Sequence, residues 1–194
     1  MRIPERAQCL SLLDDMDMPE HILAHSELVC QVALLLTDAL QAAGVVLNRP
    51  LVHASALLHD ITKPRSFTTG ENHSKSGGEY LTVLGFPEVG DVVRQHVVLD
   101  AYFAAEHPSE AEVVNYSDKR VLHDQIVPLD QRMQYILHRY AKTEAHIQML
   151  QKVWAQTAQL ELRLFAHLPF GPLQLCDRVD ANRCPPDPEG QKFN

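Results

Sequence analysis

His59 and Asp60 stand side by side in the stretch Leu57-Leu58-His59-Asp60-Ile61-Thr62-Lys63, at the end of an apolar run. Neutral imidazole and carboxylate both ligate divalent cations, so the pair is a candidate half of a metal site. Adjacent His and Asp also arise by chance, so the pair gains weight only if other segments supply partners. Four residues offer themselves: His25, His73, His96 and Asp118. The chain carries 11 histidines in 194 residues, a high count that points the same way.

The elements that must position these six residues read as helices. Residues 4–16 form a short one, with Ala7, Leu10 and Leu13 at helical spacing. A long helix runs from Glu20 to about Ala43 and carries His25, with Gly44 as its stop. Residues 50–59 are apolar nearly all round, which predicts a buried central helix ending at the His-Asp pair. Pro64 bars its simple continuation, and Arg65–Asn72 reads as a polar loop.

Helix resumes at His73–Leu84 and Pro87–Leu99, the second of these containing His96. A loop or broken helix over 100–111 follows, then a helix over Glu112–Val121 with Asp118 inside it. Leu129–Tyr140 and residues 143–168 are the last two helices. No segment has a convincing strand period. The expected fold is all-α, a single-domain helical bundle over residues 1–174, with 175–194 as a poorly ordered tail rich in Pro, Asp and Gly. Ligands on five separate helical segments suit a bundle, which builds metal sites by projecting side chains inward.

Composition narrows the partners. The formal net charge of -8 argues against a nucleic-acid polymer. Cys9, Cys30, Cys176 and Cys184 include no CxxC pair, so reduced thiols in a cytoplasmic protein are expected. No signal peptide is recognisable, and no run approaches 18 uninterrupted apolar residues, so no membrane partner is expected.

The order of His, His-Asp, His, His and a late Asp resembles the HD-domain superfamily of metal-dependent phosphohydrolases. The echoes are HILAHSELV, ALLHDITK, HSKSGGEYL, VRQHV and NYSDKRV, which together cover roughly residues 20–125. The chain is similar to small bacterial stand-alone HDIG-type proteins. The resemblance implies that His25, His59, Asp60 and Asp118 are the core ligands. It assigns His73 and His96 to the additional pair found in two-metal members. It makes Lys63 a lysine that faces phosphate. No GYP motif follows, so the cyclic-di-GMP phosphodiesterase branch is disfavoured.

On that reading Asp60 is catalytic as the bridge between two divalent ions, iron, manganese or similar. The ions would lower the pKa of a water that attacks phosphorus. Lys63, with Arg65, Lys119 and Arg120 as further substrate contacts, would neutralise charge on the phosphate. The expected substrate is a nucleotide or other small phosphorylated metabolite, and a homodimer is open. The alternatives are a di-iron oxygenase with the same six ligands and a non-catalytic regulatory module.

The remaining histidines, among them His123 and His146, have no motif support and read as ordinary surface or core residues. His21, one turn before His25, is expected to support the site or face solvent. Asp124 and Arg132 are candidates to reach a pocket.

Overall fold

The structure is a computed structural model that describes residues 1–180. Its centre is α2 (Glu20–Ala42), which packs on α3 (Arg49–Leu58) and α7 (Glu110–Lys119). α3 also meets α6 (Pro87–Arg94), and α6 lies along α5 (His73–Val83). α1 (Arg6–Asp14) covers the far side of α3. Leu28, Val29, Val32, Ala33, Leu36, Leu57, Leu58, Val113 and Val114 fill the space between these helices and are almost fully buried. The all-α expectation holds, with one small addition described below.

α2 has the length and composition of a membrane-crossing helix, although no 18-residue run in it is uninterruptedly apolar. Its buried residues are those that face α3 and α7, so core packing accounts for its apolar character.

Local chemistry starts each helix where the site needs it. Asn48 caps α3 by accepting from the Leu51 amide at 3.1 Å, and Pro50 occupies the first turn. Asn72 caps α5 through the amides of Ser74 and Lys75, so His73 is the first helical residue. Ser109 and Glu112 form a reciprocal capping box at the start of α7.

α5 and α6 approach closely at two glycines. A methyl group on Gly90 would lie 2.4 Å from the Gly78 carbonyl oxygen, so only hydrogen fits there. That approach holds His96, just beyond α6, against His73 at the start of α5.

Several expectations need correction. Residues 65–72 are not all loop: Lys63–Thr69 form a helix, α4. Pro64 sits in its first turn, where a missing amide hydrogen costs nothing, so the proline starts a helix rather than barring one. Gly70 ends it in the left-handed region at φ 72°. α6 stops at Arg94, so His96 lies past a helix end and not within a helix. A two-stranded antiparallel hairpin, β1 (Val121–Leu122) and β2 (Gln125–Ile126), follows α7. Two residues per strand are too few to display a period.

α8 (Leu129–Tyr140) and α9 (Glu144–Phe165) form an antiparallel pair against α7. Part of the expected tail is ordered: Leu175–Val179 form α10, with Leu175 buried and the helix resting on α2. The rest of that expectation, over 181–194, lies outside the described residues. Cys9 and Cys30 are buried free thiols, as expected.

Candidate metal centre

α2, the turn between α3 and α4, the start of α5 and the ends of α6 and α7 bring the six expected ligands together. Three of the four histidines are aimed by a hydrogen bond from Nδ1 to a backbone carbonyl. His59 Nδ1 lies 2.8 Å from the Ala56 carbonyl, and His96 Nδ1 lies 2.7 Å from the Val93 carbonyl. Both are carbonyls three residues back, at helix ends, and that of Val93 also accepts the His96 amide at 3.2 Å. His25 Nδ1 lies 3.1 Å from the carbonyl of His123. His123 sits at φ 55° in the hairpin turn, so the hairpin exists at the point that orients His25.

When these three Nδ1–H groups donate to carbonyls, each Nε2 is left with a bare lone pair. The lone pairs converge on carboxylates that cannot donate. His25 Nε2 lies 3.3 Å and His59 Nε2 3.7 Å from Asp118 Oδ1. His73 Nε2 and His96 Nε2 are 3.2 Å apart, and lie 3.3 and 3.6 Å from Asp60 Oδ1. Two groups result: His25, His59 and Asp118 form one, and Asp60, His73 and His96 the other. Asp60 reaches both, because its Oδ2 is 3.4 Å from His59 Nε2 while its Oδ1 faces His73 and His96.

These residues fit a divalent metal. His59 Nε2 and Asp60 Oδ1 are buried with no hydrogen-bond partner among the described residues. Burying an unpaired acceptor costs about 1–3 kcal/mol, a cost that a coordinated cation removes. Burial opposes ionisation of Asp60, but His59 and Lys63 outweigh it and hold the carboxyl well below the usual range. Asp118 is likewise held low, burial being outweighed by His25, Lys119, Arg132 and His59.

Burial and the neighbouring His59 push His96 down to about 3, and burial also lowers His25. His59 is the exception: Asp60 and Asp118 overcome its burial and raise it. Ionised carboxylates beside neutral imidazoles are the protonation states that metal binding requires.

Lys63 projects from the first turn of α4 and places Nζ 2.5 Å from Asp60 Oδ2. The other expected cations divide. Lys119 lines the same cavity, but its ammonium donates to the carbonyls of His96 at 2.8 Å and Asn115 at 3.2 Å. It therefore braces the chain around His96, and burial pushes it down to about 8.

Arg120 is not a substrate contact. It is buried, and its guanidinium donates to the Val127 and Pro172 carbonyls, the Tyr116 hydroxyl and Glu161. Arg65 is exposed, pairs with Glu71 at 2.6 Å and does not line the cavity.

That cavity has a volume of about 390 Å³ and contains Asp60, His73, His96 and Asp118 at one end. Lys63, Ser66 and Phe67 of α4 form one wall. Arg132, Met133, Ile136 and Tyr140 of α8, with His146, Met149, Leu150 and Val153 of α9, form the opposite one. Among these, Arg132 had been suspected and His146 had not. The carbon-rich remainder has the helical spacing of core residues and gives no separate signal in the sequence. A larger depression of about 740 Å³, over α5 and α6, includes none of the six ligands.

Comparison with known proteins agrees with this arrangement. Residues 22–123 match the family model described as HD domain. The span runs from α2 through the hairpin turn and includes all six ligands. A tRNA (cytidine(56)-2'-O)-methyltransferase of Picrophilus torridus is 28% identical over an alignment 146 positions long that covers 68% of this chain. The chain spans 40% of the length of that relative. A crystal structure of a predicted HD superfamily hydrolase from an uncultured Thermotogales bacterium is 22% identical, with a TM-score of 0.47. That likeness covers 85% of this chain and 94% of the other.

Proposed function

The chain belongs to the HD-domain family, and we propose that it is a metal-dependent phosphohydrolase acting on a small phosphoester. The observation that carries this reading is the pair of three-ligand groups joined through Asp60, with Lys63 at 2.5 Å on the cavity side. Divalent ions held there supply Lewis acidity, lowering the pKa of water and polarising a phosphoryl oxygen.

The chain's own residues supply the rest. Hydrogen bonds to backbone carbonyls fix the rings of His25, His59 and His96, so the ligands need no rearrangement. The Lys63 ammonium stands where negative charge on a phosphoryl group would be countered. Its neighbour Asp60 overcomes the effect of burial and keeps it protonated, so it serves as a charge and not as a base. Lys119 holds the backbone that carries His96. In the overall reaction water attacks phosphorus, the bond to the ester oxygen breaks, and that oxygen leaves as an alcohol after gaining a proton.

The test is phosphate release from a panel of nucleotides and simple phosphoesters, with and without added Mn²⁺, under air and under anaerobic conditions. Metal-stimulated release that persists without dioxygen, and that EDTA abolishes, is the expected result. No release from any ester at saturating metal would overturn the reading. Product formed only in the presence of dioxygen would favour an oxygenase built on the same ligands.

A further inference from the structure

The wall opposite the metal ligands lies outside the residues that match the family. It is made by α8 and α9, beyond residue 123. Its character is mainly apolar: Met133, Ile136, Met149, Leu150 and Val153 face the cavity, and Phe67 of α4 stands across from them. Met149 and Phe67 are 48% and 68% exposed, which leaves carbon at the rim where a closed core would have none. A ribose or a nucleobase needs several hydrogen-bond partners when buried, and the Met, Ile, Leu and Val side chains that make up most of this wall offer none.

The polar groups on this wall are Arg132, Tyr140 and His146, and Arg132 is the one that reaches a candidate ligand. Its side chain is 13% exposed, and its Nη2 lies 3.8 Å from Asp118 Oδ1. It makes no hydrogen bond to the described residues, and its Nε is buried without a partner. The contrast with Arg120, whose guanidinium is saturated by structural acceptors, is direct. Besides the ion pair to Asp118, Arg132 lies 5.9 Å from the centre of the Tyr135 ring, and a guanidinium with no hydrogen bond that lines a cavity is a fork for oxyanions.

We propose that the α8–α9 pair makes this site selective for phosphoesters of apolar alcohols, with the phosphoryl oxygens at Arg132 and Lys63 and the organic half against the wall of Ile136, Met149 and Val153. The proposal rests on the phosphohydrolase reading for its chemistry, but the recognition it describes is measurable without turnover.

The experiment is calorimetric titration with four non-hydrolysed or slowly hydrolysed probes: methylphosphonate, phenylphosphonate, octylphosphonate and adenosine 5'-monophosphate. It is run on the protein as purified and again after Mn²⁺ addition. Phenylphosphonate or octylphosphonate should bind at least about tenfold more tightly than methylphosphonate and adenosine monophosphate, as expected for burial of a carbon-rich group. A preference for the phenyl over the octyl probe marks an aryl ester as the substrate, and the reverse order marks an alkyl ester.

Ile136→Asp should collapse the ratio between the apolar probes and methylphosphonate. Met149→Ser, at a half-exposed position that tolerates a polar residue, should narrow the same ratio about threefold if the variant at Ile136 does not fold. Arg132→Gln should weaken all the phosphonates about tenfold, the loss of a charge-assisted pair. Equal affinity for methyl, phenyl and octyl probes, or tightest binding of adenosine monophosphate, would overturn the proposal. Apolar preference without phosphate release from any ester would sink the hydrolase reading and leave this one standing. Release with no apolar preference would do the opposite.

Discussion

Asp60→Ala lowers bound divalent metal at least about 100-fold in affinity and removes metal-stimulated phosphate release. Loss of an outer-shell partner of a metal ligand already costs about 10–100-fold, and Asp60 is placed to be a ligand itself. The size of the effect follows from its position. Asp60 is 1% exposed, and its two oxygens face different ligand groups. Alanine removes the negative charge that faces His73 and His96 and also the one beside His59. The Asp60, His73 and His96 group is left with two ligands, and the His25, His59 and Asp118 group keeps its three but loses the carboxylate beside it.

Lys63 loses its counter-charge at the same time, so its ammonium repels any cation that enters. The surrounding helices do not depend on the carboxylate, because Ile61, Leu57 and Leu58 pack on the apolar side of the same turn. Far-UV circular dichroism should therefore stay close to that of the parent protein while metal content and phosphate release fall. If the variant kept both metal and turnover, Asp60 would not join the two groups.

Arg120→Ala should cost about 3 kcal/mol of stability, the usual effect of removing one partner from a buried charge pair. Arg120 is 3% exposed and ties three parts of the fold together. Its Nε donates to the Val127 carbonyl at 2.8 Å, just after the hairpin, and its Nη2 to the Pro172 carbonyl at 3.0 Å. Its Nη1 lies 3.2 Å from Glu161 of α9, and Tyr116 bridges to the same carboxylate at 2.5 Å.

Alanine removes the cation from beside the Glu161 carboxylate, which keeps only Tyr116, and takes the guanidinium donor from the Val127 and Pro172 carbonyls. Urea denaturation should show the midpoint falling with the slope unchanged. The KM of the folded fraction for any phosphoester should stay as it was. A substrate-binding arginine would produce the reverse, a raised KM at full stability, so the two roles separate cleanly.

Lys119 and Arg120 also show why the cations were hard to sort from sequence. They are consecutive, so they leave the end of α7 in different directions, Lys119 toward His96 and Arg120 toward α9. Nothing in the string Asp118-Lys119-Arg120 states which side faces the cavity. The ligands were legible for a different reason. Buried histidines and aspartates are rare inside apolar helices, so His25, His59, Asp60, His96 and Asp118 stand out against the valines and leucines around them.

The helices that carry them were legible from apolar spacing, whereas the caps at Asn48 and Asn72 emerge from the structure. α4 was not, because a proline in a first helical turn and a proline that ends a helix look alike when only the preceding segment is considered. The cavity wall was hidden by the same periodicity that revealed α8 and α9. Met133 and Leu150 are buried, whereas Tyr140 and Met149 are about half exposed at the cavity, yet all four belong to one apolar stripe pattern. Which stripe residues pack and which line a cavity depends on how α8 meets α9, a tertiary fact that spacing does not encode.

On the proposed reading His25, His59 and Asp118 hold one divalent ion and Asp60, His73 and His96 a second. The direct measurement is metal content of the purified protein by elemental analysis, paired with anomalous diffraction from its crystals. The account predicts two ions per chain, one in each group, with Asp60 touching both. A chain that binds no divalent ion, or binds one only away from these six side chains, would contradict it.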